Sequence, residues 1–162
     1  MTPEIIEIKP KKLIGMRIQT TFADDKTVEL WKKFMPRLNE IVDSMDTTLY
    51  SIKNYEAYFW YLEDKMDRPF EKWTTMEVKS FDNIPEGMET YEFKGGKYAV
   101  FVHKGPVSTY FDTIRYIFEE WVPNSGYQID NREHFEVLDE KYKPYSEDSE
   151  ETIWLPITEE LE

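Results

Sequence analysis

Hydrophobic residues recur at helical spacing in two stretches of the chain. In "PVSTYFDTIRYIFEEW", Val107, Tyr110, Phe111, Ile114, Ile117, Phe118 and Trp121 fall on one stripe at intervals of three and four. Gly105 and Pro106 mark its start, with Thr109 and Asp112 as a capping pair, and Pro123 predicts its end near Trp121. In "TVELWKKFMPRLNEIVDSM" the stripe runs through Trp31, Phe34, Met35, Leu38, Ile41, Val42 and Met45. Asp24 and Asp25 suit its N-terminal cap, and Pro36 predicts a kink. Trp31 and Trp121 are assigned to helix cores.

Alternating, strand-like segments surround both helices. "LIGMRIQ" and "YAVFVHK" precede them; "LYSIKNY" and "AYFWYLE" follow the first, and "YQIDNREHFEVL" follows the second. "TTMEVKSF" and "TIWLPI" close the two halves, and Gly95-Gly96 reads as a hairpin turn between "METYEFK" and "KYAVFVHKG". The order strand, helix, strand, strand thus occurs twice, over about 1–85 and 86–162. The expected fold is α+β: tandem β-α-β-β repeats in a single domain spanning 1–162, forming one antiparallel sheet with two helices and a central groove. Half the chain would bury too little surface alone, and a groove at the seam is a natural ligand site.

Composition narrows the partners. The 162 residues carry 33 acids against 20 bases, a formal charge of -13, which argues against nucleic acid or an anionic membrane. Aromatic residues make up 16% of the chain, more than packing alone usually takes. Cysteine is absent and only His103 and His134 could supply imidazole, so neither a metal site nor a cofactor is expected. The N-terminus has no leader-like pattern and no segment reaches membrane-spanning length, which predicts a cytoplasmic chain. No nucleotide-binding, hydrolase or zinc-protease motif is found.

Candidate chemistry centres on Glu136 in "HFEVLDEKYKP". If Phe135 to Leu138 is a strand, Phe135 and Val137 take one face and Glu136 with Leu138 the other. Giving Phe135 and Val137 the helix-packed core leaves Glu136 as a lone carboxylate on the opposite surface, at the seam. Trp73 and Trp154 hold matching places in the two halves, both facing away from the core by alternation. An aromatic box of Trp73 and Trp154 around Glu136 follows, with Tyr58 and Trp60 as weaker members. Such a box favours a lipophilic cation, because pairing removes the cost of a dehydrated carboxylate and aromatic faces add about 0.5–2 kcal/mol per contact. The same carboxyl could serve as an acid or base in hydrolysis of a reactive hydrophobic molecule, and Tyr142 and Tyr145 follow it closely. His103 reads as a hydrogen-bonded strand-end residue, His134 as near the surface, and the terminal "EELE" as a solvated tail.

The run "GKYAVFVHKGP", "EEWVPNSGYQIDNREHFEVLDEKYKP" and "IWLPI", with "IPEGMETYEF" and "TTMEVKSF" before it, resembles the gyrase-inhibitor-like (GyrI-like) small-molecule-binding family. That family includes effector-binding domains of AraC-type and MerR-type multidrug regulators. The resemblance implies a central groove for hydrophobic, often cationic compounds, with the family's Phe-Glu acid at Glu136. Members often carry an aromatic two residues later, where this chain has Leu138. Some relatives hydrolyse strained cyclopropane-containing compounds. The expected function is a stand-alone sensor or sequestering protein for a hydrophobic or cationic small molecule, without direct nucleic-acid contact and with any protein partner unknown; the alternative is a hydrolase using Glu136.

Overall fold

A computed structural model describes residues 1–159; the last three residues of the expected tail lie outside them. Among the described residues, nine strands form a mostly antiparallel sheet: β1 (Glu4–Ile8), β2 (Lys11–Thr20), β3 (Ser44–Asn54), β4 (Phe70–Val78), β5 (Glu89–Phe93), β6 (Gly96–Lys104), β7 (Tyr127–Ile129), β8 (His134–Leu138) and β9 (Glu150–Glu159). The order is β1-β6-β9-β8-β3-β4-β2-β5, with β7 paired to β9. β8 and β3 therefore form the seam, Ser51 opposite Glu136 and Lys53 opposite His134.

The helices cover one face. α1 (Thr27–Phe34) buries Leu30 and Phe34 and shelters a cluster including Ile14, Leu49, Met76, Val78 and Leu138. Its N-terminus is set by Asp25, whose carboxylate accepts the Thr27 backbone N–H at 2.9 Å. Pro36 gives no simple kink: the chain leaves α1 at Phe34 and continues as a 3₁₀ turn over Met35–Glu40. The second helix starts with α2 (Tyr110–Tyr116), widens into a π turn at Ile117–Trp121 and ends as α3 (Val122–Ser125). Pro123 falls just after the π turn, where its missing N–H disturbs no regular ladder, so the helix outruns the end expected near Trp121. Gly126, at φ 77°, closes it. Ile114, Ile117 and Val122 pack there on Ala99, Phe101, Ile153, Leu155 and Ile157.

Two expected strand features are absent from the described fold. "AYFWYLE" forms turns and a short 3₁₀ segment, Phe59–Tyr61, because its aromatics cluster with Phe22, Tyr55 and Phe70 instead of alternating across a sheet. Gly95-Gly96 joins no hairpin: β5 pairs with β2, while β6 pairs with β1 and β9. Yet the Phe93 and Tyr98 rings lie 5.9 Å apart, so the sheet curls until its two ends meet. The face without helices is thereby a third apolar core, gathering Leu13, Ile52, Trp73, Phe93, Tyr98 and Phe135 from both ends. No helix among the described residues is long and apolar enough to cross a membrane.

Close strand packing makes one glycine indispensable. A Cβ on Gly15 in β2 would overlap the Thr74 carbonyl of β4, and backbone cannot rotate away. Gly15→Ala is expected to destabilise by about 1–3 kcal/mol or more, read as a lower urea midpoint at unchanged slope.

Candidate functional site

On the helix face, three adjacent strands change from apolar to polar toward the same end. β3 runs Leu49, Ser51, Lys53; β4 runs Met76, Thr74, Lys72; β8 runs Leu138, Glu136, His134. β9 runs the other way, with Ile153 opposite Glu136 and Glu151 toward the Leu138 side. Register brings these polar ends together between the two helices, over a cavity of about 130 Å³. Thr27 and Trp31 wall it from α1, Tyr110 and Phe111 from α2, and Phe22, Phe70 and Tyr142 add further rings. That is room on the order of a single aromatic ring.

Glu136 is 4% exposed and forms an ion pair with Lys53, itself 6% exposed, while the Tyr110 hydroxyl donates to the same carboxylate. The Lys53 ammonium also lies 5.7 Å from the Tyr110 ring centre. Lys72 donates to Thr27 Oγ1 at 2.7 Å and, among the described residues, has no carboxylate within ion-pair distance. Counting Asp25 and Glu151, the cavity wall holds three carboxylates and two ammonium groups, an excess of one negative charge if all are ionised.

Dehydration dominates the proton equilibria here. Burial, then repulsion from Lys72, holds Lys53 well below the usual lysine range, and burial lowers Lys72 too. Burial also raises Glu151 and the Tyr110 phenol, and pushes Tyr142 up to about 12. A smaller hollow of about 20 Å³ adjoins the ion pair, with Tyr55, Phe118 and His134 in its lining. His134, expected near the surface, is partly buried there, edge-on to Tyr55 at 4.9 Å and stacked with Phe118; burial and then Lys53 lower it to about 3.

The expected aromatic box is not assembled. Glu136 and Leu138 share the cavity, but Trp73 and Trp154 lie on the opposite face. Trp154 stacks on Phe135 at 5.1 Å, and Trp73 packs edge-on against Tyr91 at 5.1 Å. The alternation was right within each strand, and both tryptophans do face away from the helices; the helix-bearing face was assigned wrongly for β8 alone, because Phe135 fills the helix-free core instead of a helix-packed one. Nor is Glu136 a lone charge, since Lys53 meets it across the seam. Tyr58 is 79% exposed and in left-handed conformation, and Trp60 stacks on Phe118 at 4.2 Å outside the cavity wall. Trp31, assigned to a helix core, packs against the α1 cluster and also lines the cavity. Tyr142 reaches the cavity; Tyr145, 89% exposed, does not. His103 is a hydrogen-bonded strand residue, its Nδ1 2.7 Å from Thr113 Oγ1. Sequence reasoning missed Lys53, Lys72 and Tyr110; the shared apolar-to-polar gradient of β8, β3 and β4 was the signal that could have found the two lysines.

Comparison with known proteins agrees with the fold. The family model for the GyrI-like small-molecule-binding domain matches residues 1–158. The transcriptional regulator BrlR of Pseudomonas aeruginosa is 25% identical over 158 residues, which are 97% of this chain but 56% of the regulator. The chain thus spans little more than half of that relative's length. The structure of SAV2435 bound to tetraphenylphosphonium superposes with a TM-score of 0.76 at 12% identity, over 98% of this chain and 94% of the other. A hydrolase encoded by lin2189 from Listeria innocua superposes at 0.65 with 16% identity, over 97% and 92%.

Removing one partner of a buried ion pair strands the other. Lys53→Ala is expected to cost about 3–5 kcal/mol of stability near neutral pH, measured by urea unfolding. His134, neutral when folded, takes a proton more readily when unfolded, so its contribution is present above the ordinary histidine range and lost as pH falls from about 6.5 toward 3. Stability measured between about pH 7 and 5 should fall less steeply in His134→Phe than in the unaltered protein.

Proposed function

The chain belongs to the GyrI-like small-molecule-binding family, and from that premise we propose that it captures an aromatic cation in the cavity between α1 and α2. The observation that carries this reading is the excess of carboxylate over ammonium within an aromatic wall. A cation there gains an electrostatic partner and ring faces; a neutral ligand gains only the apolar contribution. Glu136 is the anchor, Tyr110 and Phe111 supply faces, and Leu138 lines the apolar wall. The tetraphenylphosphonium bound by SAV2435 is a lipophilic cation, which supports the ligand class. A sensor or sequestering role fits a site that holds its ligand unchanged.

A second reading rests on the two proton-bearing groups, Lys53 and Tyr110, gathered on one carboxylate. Such a cluster could take a proton from water as it adds to a strained, hydrophobic electrophile, in keeping with the hydrolase among the structural neighbours. Turnover of a cyclopropane-containing electrophile followed by mass spectrometry should then vanish in Glu136→Gln.

The binding reading is tested with benzyltrimethylammonium and its neutral carbon isostere, neopentylbenzene. Glu136→Gln should weaken the cation at least about tenfold, the equivalent of roughly 1.4 kcal/mol, and leave the isostere within about twofold. Equal loss for both, or none for the cation, would end the charge argument.

A further inference from the structure

Lys53 stands where the positive charge of a ligand would go. Its ammonium pairs with Glu136 and lies beside the Tyr110 ring, so the chain itself engages the anionic anchor and an aromatic face. Its direct neighbours across the sheet are bases: Lys72 on β4 and His134 on β8. Like charges directly opposite on adjacent strands repel. Tyr110 from α2 and Tyr55 from the segment after β3 border it as well. Glu151 of β9 and Asp25 ahead of α1 attract it from farther off. Among the described residues, Glu136 is the sole carboxylate within ion-pair distance of it.

An arriving cation therefore creates a conflict. Two positive charges would face the one carboxylate within ion-pair distance of Lys53, in a small cavity largely shut off from bulk water, where repulsion is poorly screened. Lys53 has little room to withdraw, being flanked in register by Lys72 and His134. We propose that this cavity takes up a cation by exchange: the ligand's charge pairs with Glu136 while Lys53 releases one proton and remains as a neutral amine. An N–H bond of Lys53 breaks, its electron pair stays on nitrogen, and the proton passes to solvent. Burial and Lys72 already disfavour the charged form of Lys53, and His134, pushed down to about 3, stays neutral and does not intercept the proton.

The inference rests on the cation-binding reading above and adds a selection rule. Affinity for a permanent cation should rise with pH, by up to about tenfold per unit wherever Lys53 is charged in the free protein and neutral in the complex. Calorimetric titration with benzyltrimethylammonium, at one pH in buffers of different ionisation enthalpy, counts the protons released. The unaltered protein should release about one, and its affinity should climb with pH over the range in which that proton is released. Lys53→Met should bind about tenfold more tightly at pH 6 with no release, since no resident cation competes. Lys53→Arg keeps the ion pair but cannot surrender its proton, and should bind at least about tenfold more weakly than the unaltered protein. The arginine variant carries the test if the methionine variant does not fold.

Cation binding without proton release, or equal binding by Lys53→Arg, would overturn the exchange and leave the cation reading standing. No cation binding by the unaltered protein or Lys53→Met, at any pH, would remove both.

Discussion

A carboxylate shut away from water has to meet positive charge, and in this chain the charge is Lys53. That ion pair spans β8 and β3, the strands where the two halves of the sheet join. The Tyr110 hydroxyl ties the second helix to the same carboxylate, and Lys72 reaches from the neighbouring strand to the start of α1. Both helices are therefore anchored to one polar seam, and the gap between them is where a ligand can be received.

The seam can stay polar because the apolar work is done elsewhere. Each helix seals its own cluster, and the curled face without helices makes a third. With three cores around it, the helix-face surface at the junction is free to hold ions and hydroxyls. Aromatic residues then have two destinations: Phe22, Phe70, Tyr110 and Phe111 wall the cavity, whereas Trp73, Trp154 and Phe135 build the third core. The aromatic surplus is shared between a site and a structural core.

Much of the fold was legible because it follows from local rules. Alternation assigned Ile153, Leu155 and Ile157 to one face and Trp154 to the other, and the clusters hold them so. Asp25 ahead of the first helix and Gly105-Pro106 ahead of the second marked their starts for reasons internal to the backbone. The failures share a cause. Gly95-Gly96 has the composition of a hairpin, but the strands it joins lie near opposite ends of a curled sheet. Phe135 has the pattern of a helix-facing residue, but both sheet faces are apolar, and a period of two cannot say which one bears the helices.

The sequence by itself determined which residues share a face, which family's pattern the chain follows, and that Glu136 and Leu138 point the same way, since these depend on backbone geometry over a few residues. Only the tertiary structure decided what Glu136 meets. Lys53 is 83 positions away in sequence and adjacent through strand pairing. Its capture of the carboxylate depends on register between distant strands and on the dehydration that closure of the cores imposes, neither of which is written in any local stretch of chain.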